Sequence, residues 1–302
     1  MYSIVLEYSP VYELVSSFYT FINQKQMKGN LLGANWVNDT LSKLPQKFAN
    51  ELEDERWELL HRTVLLIHEC PVKHSVEGFL QWFQELPPGE IYERLSPWVN
   101  NIPLNFLEIR DRSVYLLSEW NEHYFKSIDP LILQKLELET SLRSNQVNEE
   151  TPMNLIEEAT DGLVIDPSDK IQKVILVPQY HCSPSTILDF FRGVVTCLYP
   201  FNKIHNDMEE SKLETMAQCL SDKRRLQILG FIAEGPRSLK EVQNYTNLAK
   251  STVHHHLFVL RRSGMIRAHY IDQTTVAYYS LRDKIIEKVS IELAHLIGRK
   301  HE

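Results

Sequence analysis

The sequence of 302 residues predicts a mainly α fold in two domains: a helical N-terminal domain with a small β-sheet, then a smaller domain of helices closed by a β-hairpin. Three observations predict it. Apolar residues recur at helical spacing over most of residues 11–143. Short β-branched runs bounded by turn residues follow, between residues 162 and 199. Charge then divides along the chain: residues 212–302 hold 15 Lys+Arg against 9 Asp+Glu, while residues 1–211 hold 17 against 31. These signals set the domains at 1–205 and 212–302, with the polar stretch Asn202–Ser211 as the linker. The basic C-terminal part is the one suited to meet phosphate.

Taken in order, Ser3–Tyr8 reads as a short strand stopped by Pro10. Val11–Met27, Asp39–Asn50, Glu51–Glu69, Val76–Leu86, Glu90–Asn100, Ser113–Ser127 and Pro130–Arg143 read as helices. Glu51–Glu69 has the clearest pattern, with Leu52, Leu59, Leu60, Val64 and Ile67 at helical spacing behind an acidic first turn. Ser144–Pro152 is polar and reads as a surface loop. Gly162–Asp166, Lys173–Pro178 and Gly193–Tyr199 are expected to form one small sheet packed on the helices.

Composition bounds the possibilities. The apolar fraction is 43% and the charged fraction 24%, those of a globular domain. No apolar run reaches the ~18 residues that span a bilayer, and the N-terminus lacks a signal-peptide pattern, so a cytoplasmic protein without a membrane partner is expected. Cys70, Cys182, Cys197 and Cys219 are far apart and read as buried thiols.

The C-terminal domain carries the most specific signal. Leu213–Leu220 and Asp222–Glu234 read as helices, the second with Leu226, Ile228, Leu229 and Ile232 on its core face. Ser238-Leu-Lys-Glu241 is a capping box directly after the Gly235-Pro236 break, and Asn247 sits where a left-handed turn residue is needed. A helix then runs over Lys250–Ser263. Val253, Leu257 and Leu260 face the core; Lys250, Ser251, Thr252, His254, His255, Arg261 and Arg262 lie on the other surface. Hydroxyls and imidazoles can read base edges, and the cations supply salt-dependent attraction to phosphate. His256 lies toward the core face. Met265–Ile271 and Val276–Leu281 read as a hairpin, with Arg267 added to the DNA-binding set. Two helices, a turn and a hairpin make a winged helix-turn-helix with double-stranded DNA as partner. The final helix, Asp283–Ile297, has an apolar stripe wide enough for packing and for a dimer contact.

Leu220–Leu229, Ser251–Leu257 with Leu260, Gly264-Met-Ile and Ala277–Leu281 together resemble the ArsR-type winged helix-turn-helix regulators. The resemblance covers about residues 213–281 and implies a homodimer on a palindromic operator, usually repressing. Four departures stand out. The helix Leu239–Tyr245 has no cysteine pair of the metal-sensing members. The last helix has Ile285, not His, two residues after Asp283. The wing tip Asp272–Thr275 lacks basic residues, and Ala249 stands where a serine cap is common. Lys173–Gln179 and Leu198–Pro200 resemble the extra domain that precedes the winged helix in larger members, a resemblance that transfers no site.

The function expected is therefore sequence-specific transcriptional regulation, by repression, controlled through residues 1–205 by a non-metal effector or a protein partner. The alternative is an enzyme or a protein-interaction domain in residues 1–205 fused to a winged helix. No catalytic residues, metal ligands or cofactor are assigned. His254-His255-His256 fan over about 200° of a helix and cannot converge on one ion. His68, Cys70 and His74 are separated by Pro71. The acidic pairs Glu149-Glu150, Glu157-Glu158 and Glu209-Glu210 read as solvated surface. The five tryptophans, all before residue 121, read as core, with an aromatic ligand pocket as the sharper alternative.

Overall fold

The computed structural model describes all residues except 1, 25–29, 54, 56–59, 104, 202–208, 283–284 and 299–302. The described chain is mainly helical, and it divides into two compact units: Met1–Glu149 with Lys170–Ile204, and Glu150–Asp169 with His205–Glu302. The division corrects the expected boundary. Residues 150–169 belong with the C-terminal unit, because their hydrogen bonds are made there.

The first unit contains β1 (Ser3–Leu6), α1 (Pro10–Ile22), α2 (Gly33–Lys43), α3 (Gln46–Leu52), α4 (Leu60–Glu69), α5 (Val76–Glu85), α6 (Pro88–Leu95), α7 (Phe106–His123) and α8 (Pro130–Gln146). After an excursion through α9 (Pro152–Ala159) and β2 (Leu163–Ile165), the chain returns as β3 (Ile171–Gln179), β4 (Ile187–Phe190) and β5 (Gly193–Pro200). The sheet order is β1-β3-β5-β4, with β1, β3 and β5 parallel and β4 antiparallel on an edge. Parallel strands covered on both faces need continuous apolar runs, and Val174–Val177 and Val194–Val195 supply them. Ile175, Val177, Val194 and Leu198 join the main core with α1, α4, α5 and α7. Ile132 and Leu136 of α8 form a smaller cluster with Phe201.

Three helical expectations change. Asp39–Asn50 is divided between α2, which ends at Lys43, and α3, which begins at Gln46 after Pro45. Glu51–Glu69 is not continuous: α3 ends at Leu52, residues 56–59 lie outside the described residues, and α4 begins at Leu60. Leu52 faces the core from one helix and Val64 and Ile67 from another, so the spacing merged two elements. Val11–Met27 shortens to a helix ending at Ile22, capped by Ser9 with Pro10 in its first turn. The Asn202–Ser211 linker lies mostly outside the described residues.

The second unit adds to α9 and β2 the elements α10 (Glu209–Leu220), α11 (Lys223–Ala233), α12 (Leu239–Thr246), α13 (Lys250–Arg262), β6 (Ile266–Tyr270), β7 (Val276–Leu281) and α14 (Ile285–Gly298). Its sheet runs β2-β6-β7, with β2 parallel to β6 and β6 antiparallel to β7. The Gly162–Asp166 run, expected in the N-terminal sheet, is instead the third strand of the hairpin sheet. Arg237 adds a backbone bridge to Tyr279 on the other edge. On α11 only part of the expected core face is buried: Ile228 and Ile232 are, whereas Leu226 is 48% exposed.

Candidate DNA-reading surface

Local sequence builds the helix-turn-helix. The Asp222 carboxylate accepts the backbone N–H groups of Arg224 (2.7 Å) and Arg225 (3.3 Å) to open α11. Ser238 and Glu241 form the full capping box at α12: the Ser238 N–H donates to Glu241 Oε2 (2.8 Å), and the Glu241 N–H donates to Ser238 Oγ (3.3 Å). Donation from the Ser238 N–H and hydroxyl to Glu241 Oε2 holds that carboxyl below its ordinary range. Asn247 takes the left-handed conformation, φ +53°, that turns the chain into α13. The Tyr245 ring stacks on Phe231 with centroids 4.1 Å apart, tying α12 to α11.

In α13 the inner face, Val253, Leu257 and Leu260, is fully buried. Lys250, Ser251, Thr252, His254 and His255 are all exposed, as the sequence predicts. They occupy the first two turns, where the helix dipole is positive. Ala249 contributes no side-chain cap, so the first-turn amides keep their hydrogen-bonding capacity for an anion. The helix stops on Gly264, φ +76°, whose N–H donates to Arg261 O (2.8 Å) while the Met265 N–H donates to Leu260 O (2.9 Å). His256 is buried, with Nδ1 lacking a hydrogen-bond partner and 3.9 Å from an Asp222 oxygen. Burial lowers its pKa, Asp222 opposing.

Three arginines of the expected DNA-binding set behave differently. Arg261 is only 7% exposed, and its Nη1 donates to Thr160 O (2.7 Å); it is a structural anchor. Arg267 donates from Nε to Glu157 Oε2 (2.8 Å), so its charge is paired within the protein. Arg262 is half-buried over the Phe258 ring, twelve residues from Lys250 and so about 18 Å along the helix axis. Glu157, read as solvated, is 7% exposed and also accepts from Arg282 Nε (2.7 Å). Sequence reasoning missed it because both partners lie more than a hundred residues downstream. Its placement in a helix one turn before the Thr160-Asp161-Gly162 turn was the only local signal.

The first unit holds a different kind of polar centre. The Trp36 indole N–H donates to Tyr124 Oη (2.7 Å), the Tyr124 hydroxyl donates to His181 Nε2 (2.7 Å), and His181 Nδ1 donates to Glu13. The Glu13 carboxylate also takes the backbone N–H groups of Tyr180 and His181, both at 2.9 Å. Every member is saturated and the dyad is buried, so no atom of it is presented to a substrate. His68 Nδ1 pairs with Glu7 (2.6 Å), and Cys70 is a buried free thiol. Among the described residues no three His, Cys, Asp or Glu side chains gather as a metal site. Trp120 is core; Trp36, Trp82 and Trp98 are partly buried against it; Trp57 lies outside the described residues. Trp98 lines an open groove of about 500 Å³ with Glu69, Glu90, Glu93, Arg94 and Pro97.

Two helices joined by a left-handed turn, a polar helix face set on a packed core and a following hairpin define a winged helix-turn-helix, the apparatus of a DNA-binding transcription regulator. Residues 222–268 match the bacterial regulatory protein arsR family. The match places an ArsR-type helix-turn-helix in the C-terminal unit, behind an additional N-terminal region that the match does not cover. It is similar to the transcriptional activator HlyU of Vibrio cholerae serotype O1 (strain ATCC 39315 / El Tor Inaba N16961), 29% identical over 96 residues that make up 32% of this chain and 86% of that protein. No solved structure matches the chain. No described helix is long and apolar enough to cross a membrane.

Proposed function

We propose that this chain is a sequence-specific regulator that binds a palindromic operator as a homodimer, laying the N-terminal half of α13 in the major groove. The observation that carries the reading is the row Lys250, Ser251, Thr252, His254 and His255, exposed on a helix whose opposite face is locked in the core. Thr252 and His255 contact base edges; Lys250 and the first-turn amides hold phosphate. The dimer contact is α14, whose Ile291 (54%) and Leu293 (46%) are exposed.

Repression by occupancy of the promoter is the regulatory mode we propose. The relative's name specifies activation, so operator position decides the sign. The N-terminal unit is the control element and takes a non-metal effector or a protein partner in the cytoplasm. Two observations support this: α12 carries no thiolate, and the first unit is acidic and aromatic. An enzymatic role for that unit draws no support from the saturated Glu13–His181–Tyr124 chain.

The test is binding of the full-length protein to DNA from its own upstream region across a salt series. Binding should be sequence-specific and fall steeply with salt, with Lys250→Ala lowering the slope of log K against log salt by about 1. Salt-insensitive binding, or unchanged sequence preference after Thr252→Ala combined with His255→Ala, would sink the reading.

A further inference from the structure

Residues 150–169 leave the first unit at Glu149 and rejoin it at Lys170, yet all their structure is made in the second unit. There they touch each part of the reading apparatus that follows the exposed turn of α13. Strand β2 adds to the hairpin in parallel, Leu163 opposite Ala268 and Ile165 opposite Tyr270. Arg261, at the end of the recognition helix, donates to Thr160 O (2.7 Å) and Asp161 O (3.3 Å). Arg267 on β6 and Arg282 just after β7 share the two oxygens of Glu157. The Asp166 carboxylate accepts from His269 Nδ1 (3.1 Å) and Tyr278 Oη (2.8 Å), one from each strand of the hairpin. Ser168 donates to Asp272 at its tip. Gly162, φ +102°, lies so close to β6 that a Cβ there would stand 2.8 Å from Ile266 O.

This arrangement has a physical consequence. A carboxylate buried with two guanidinium groups keeps its geometry, because losing either bond strands a charge away from water. The recognition helix and the wing are therefore held to one rigid body through a segment about a hundred residues upstream of both. We propose that residues 150–169 form a clamp that sets the angle between α13 and the wing, with Glu157 and Arg261 as positioning residues for DNA reading. The clamp is the route by which the N-terminal unit influences that reading, since both of its ends are covalently joined to that unit. The inference rests on α13 being the DNA-reading helix.

The experiment uses the full-length chain, with operator affinity measured across salt and amide hydrogen exchange measured without DNA. Glu157→Gln and Arg261→Met should each lower affinity about three- to thirtyfold. The salt slope should stay unchanged, because no phosphate contact is removed. Amides of 266–270 and 276–281 should exchange faster. Arg261→Lys, which keeps a donor for Thr160 O, should recover part of the affinity, and Glu158→Gln, at an exposed neighbour, should match the unmodified chain. Unchanged affinity and unchanged exchange in both Glu157→Gln and Arg261→Met would overturn the clamp. If neither folds, Tyr278→Phe removes one bond to Asp166 at a half-buried site; faster exchange in the hairpin supports the clamp and none overturns it. Loss of binding in Thr252→Ala with His255→Ala, beside intact clamp variants, refutes the clamp and leaves the DNA reading standing. Absence of specific binding by the unmodified chain refutes the DNA reading, and the exchange measurement then decides the clamp alone.

Discussion

Glu13 in the first unit and Glu157 in the second are both buried carboxylates, and their partners differ in kind. Glu13 is satisfied by two backbone amides and a histidine within a saturated chain of hydrogen bonds. Glu157 is satisfied by two arginine side chains, one on a strand of the hairpin and one just after it. A carboxylate held by backbone amides is part of the fold of its unit. One held by side-chain donors from other elements joins parts of the chain that could otherwise move apart. The first unit has turned its polar chemistry inward; the second displays polar groups on α13 and uses buried ones to aim them.

The sharpest way to break this contrast is Glu13→Ala. It strands two backbone N–H groups and the His181 donor in the interior, and should cost the first unit about 3–5 kcal/mol. Chemical denaturation followed by tryptophan fluorescence reads this directly, since the tryptophans all lie before residue 121. A loss below about 1 kcal/mol would mean that water replaces the carboxylate and that the centre is not structural.

Gly162→Ala comes next. A positive φ and a Cβ 2.8 Å from Ile266 O should together cost about 1–3 kcal/mol, read as a lower unfolding midpoint of the second unit alone. A shift in the tryptophan-reported transition instead would erase the distinction between the units. Ser238→Ala removes the capping-box acceptor and should cost about 1 kcal/mol, measurable by thermal melting in circular dichroism.

The smallest expected effect is a pH dependence. Burial, aided by Arg225, His255 and Arg224 and opposed by Asp222, lowers the His256 pKa from its ordinary value near 6.5. Below that value the unfolded chain binds the proton more readily than the folded one. This contribution to stability is therefore complete above about pH 6.5 and declines as pH falls through the folded value. Melting midpoints at pH 7.5 and 5.5 should differ more for the unmodified chain than for His256→Gln; equal differences would show that His256 does not sense its burial.

Much of the helix-turn-helix was legible because its signals are local. Capping at Ser238 and Glu241, the turn at Asn247, the inner row Val253-Leu257-Leu260 and the stop at Gly264 each depend on residues within one or two helical turns. The same local logic placed Lys250, Ser251, Thr252, His254 and His255 on the outer face. It misplaced Arg261, Arg267 and Glu157 because burial of a charge depends on who its partner is. It gave Leu226 a core position because helical spacing fixes which residues share a face and leaves open which face is covered.

By itself, then, the sequence determined that the chain is mainly helical, where the helices of the helix-turn-helix lie, which turn between them is left-handed and which residues stand together on the recognition helix, since backbone preference and periodicity act over a few residues. Only the tertiary structure decided that residues 150–169 belong with the C-terminal unit, that Gly162–Asp166 pairs with the wing and that Arg261 and Arg267 bond within the protein. Those outcomes follow from strand pairing and charge burial between residues about a hundred positions apart, and local preference carries no information about which distant partner will be there.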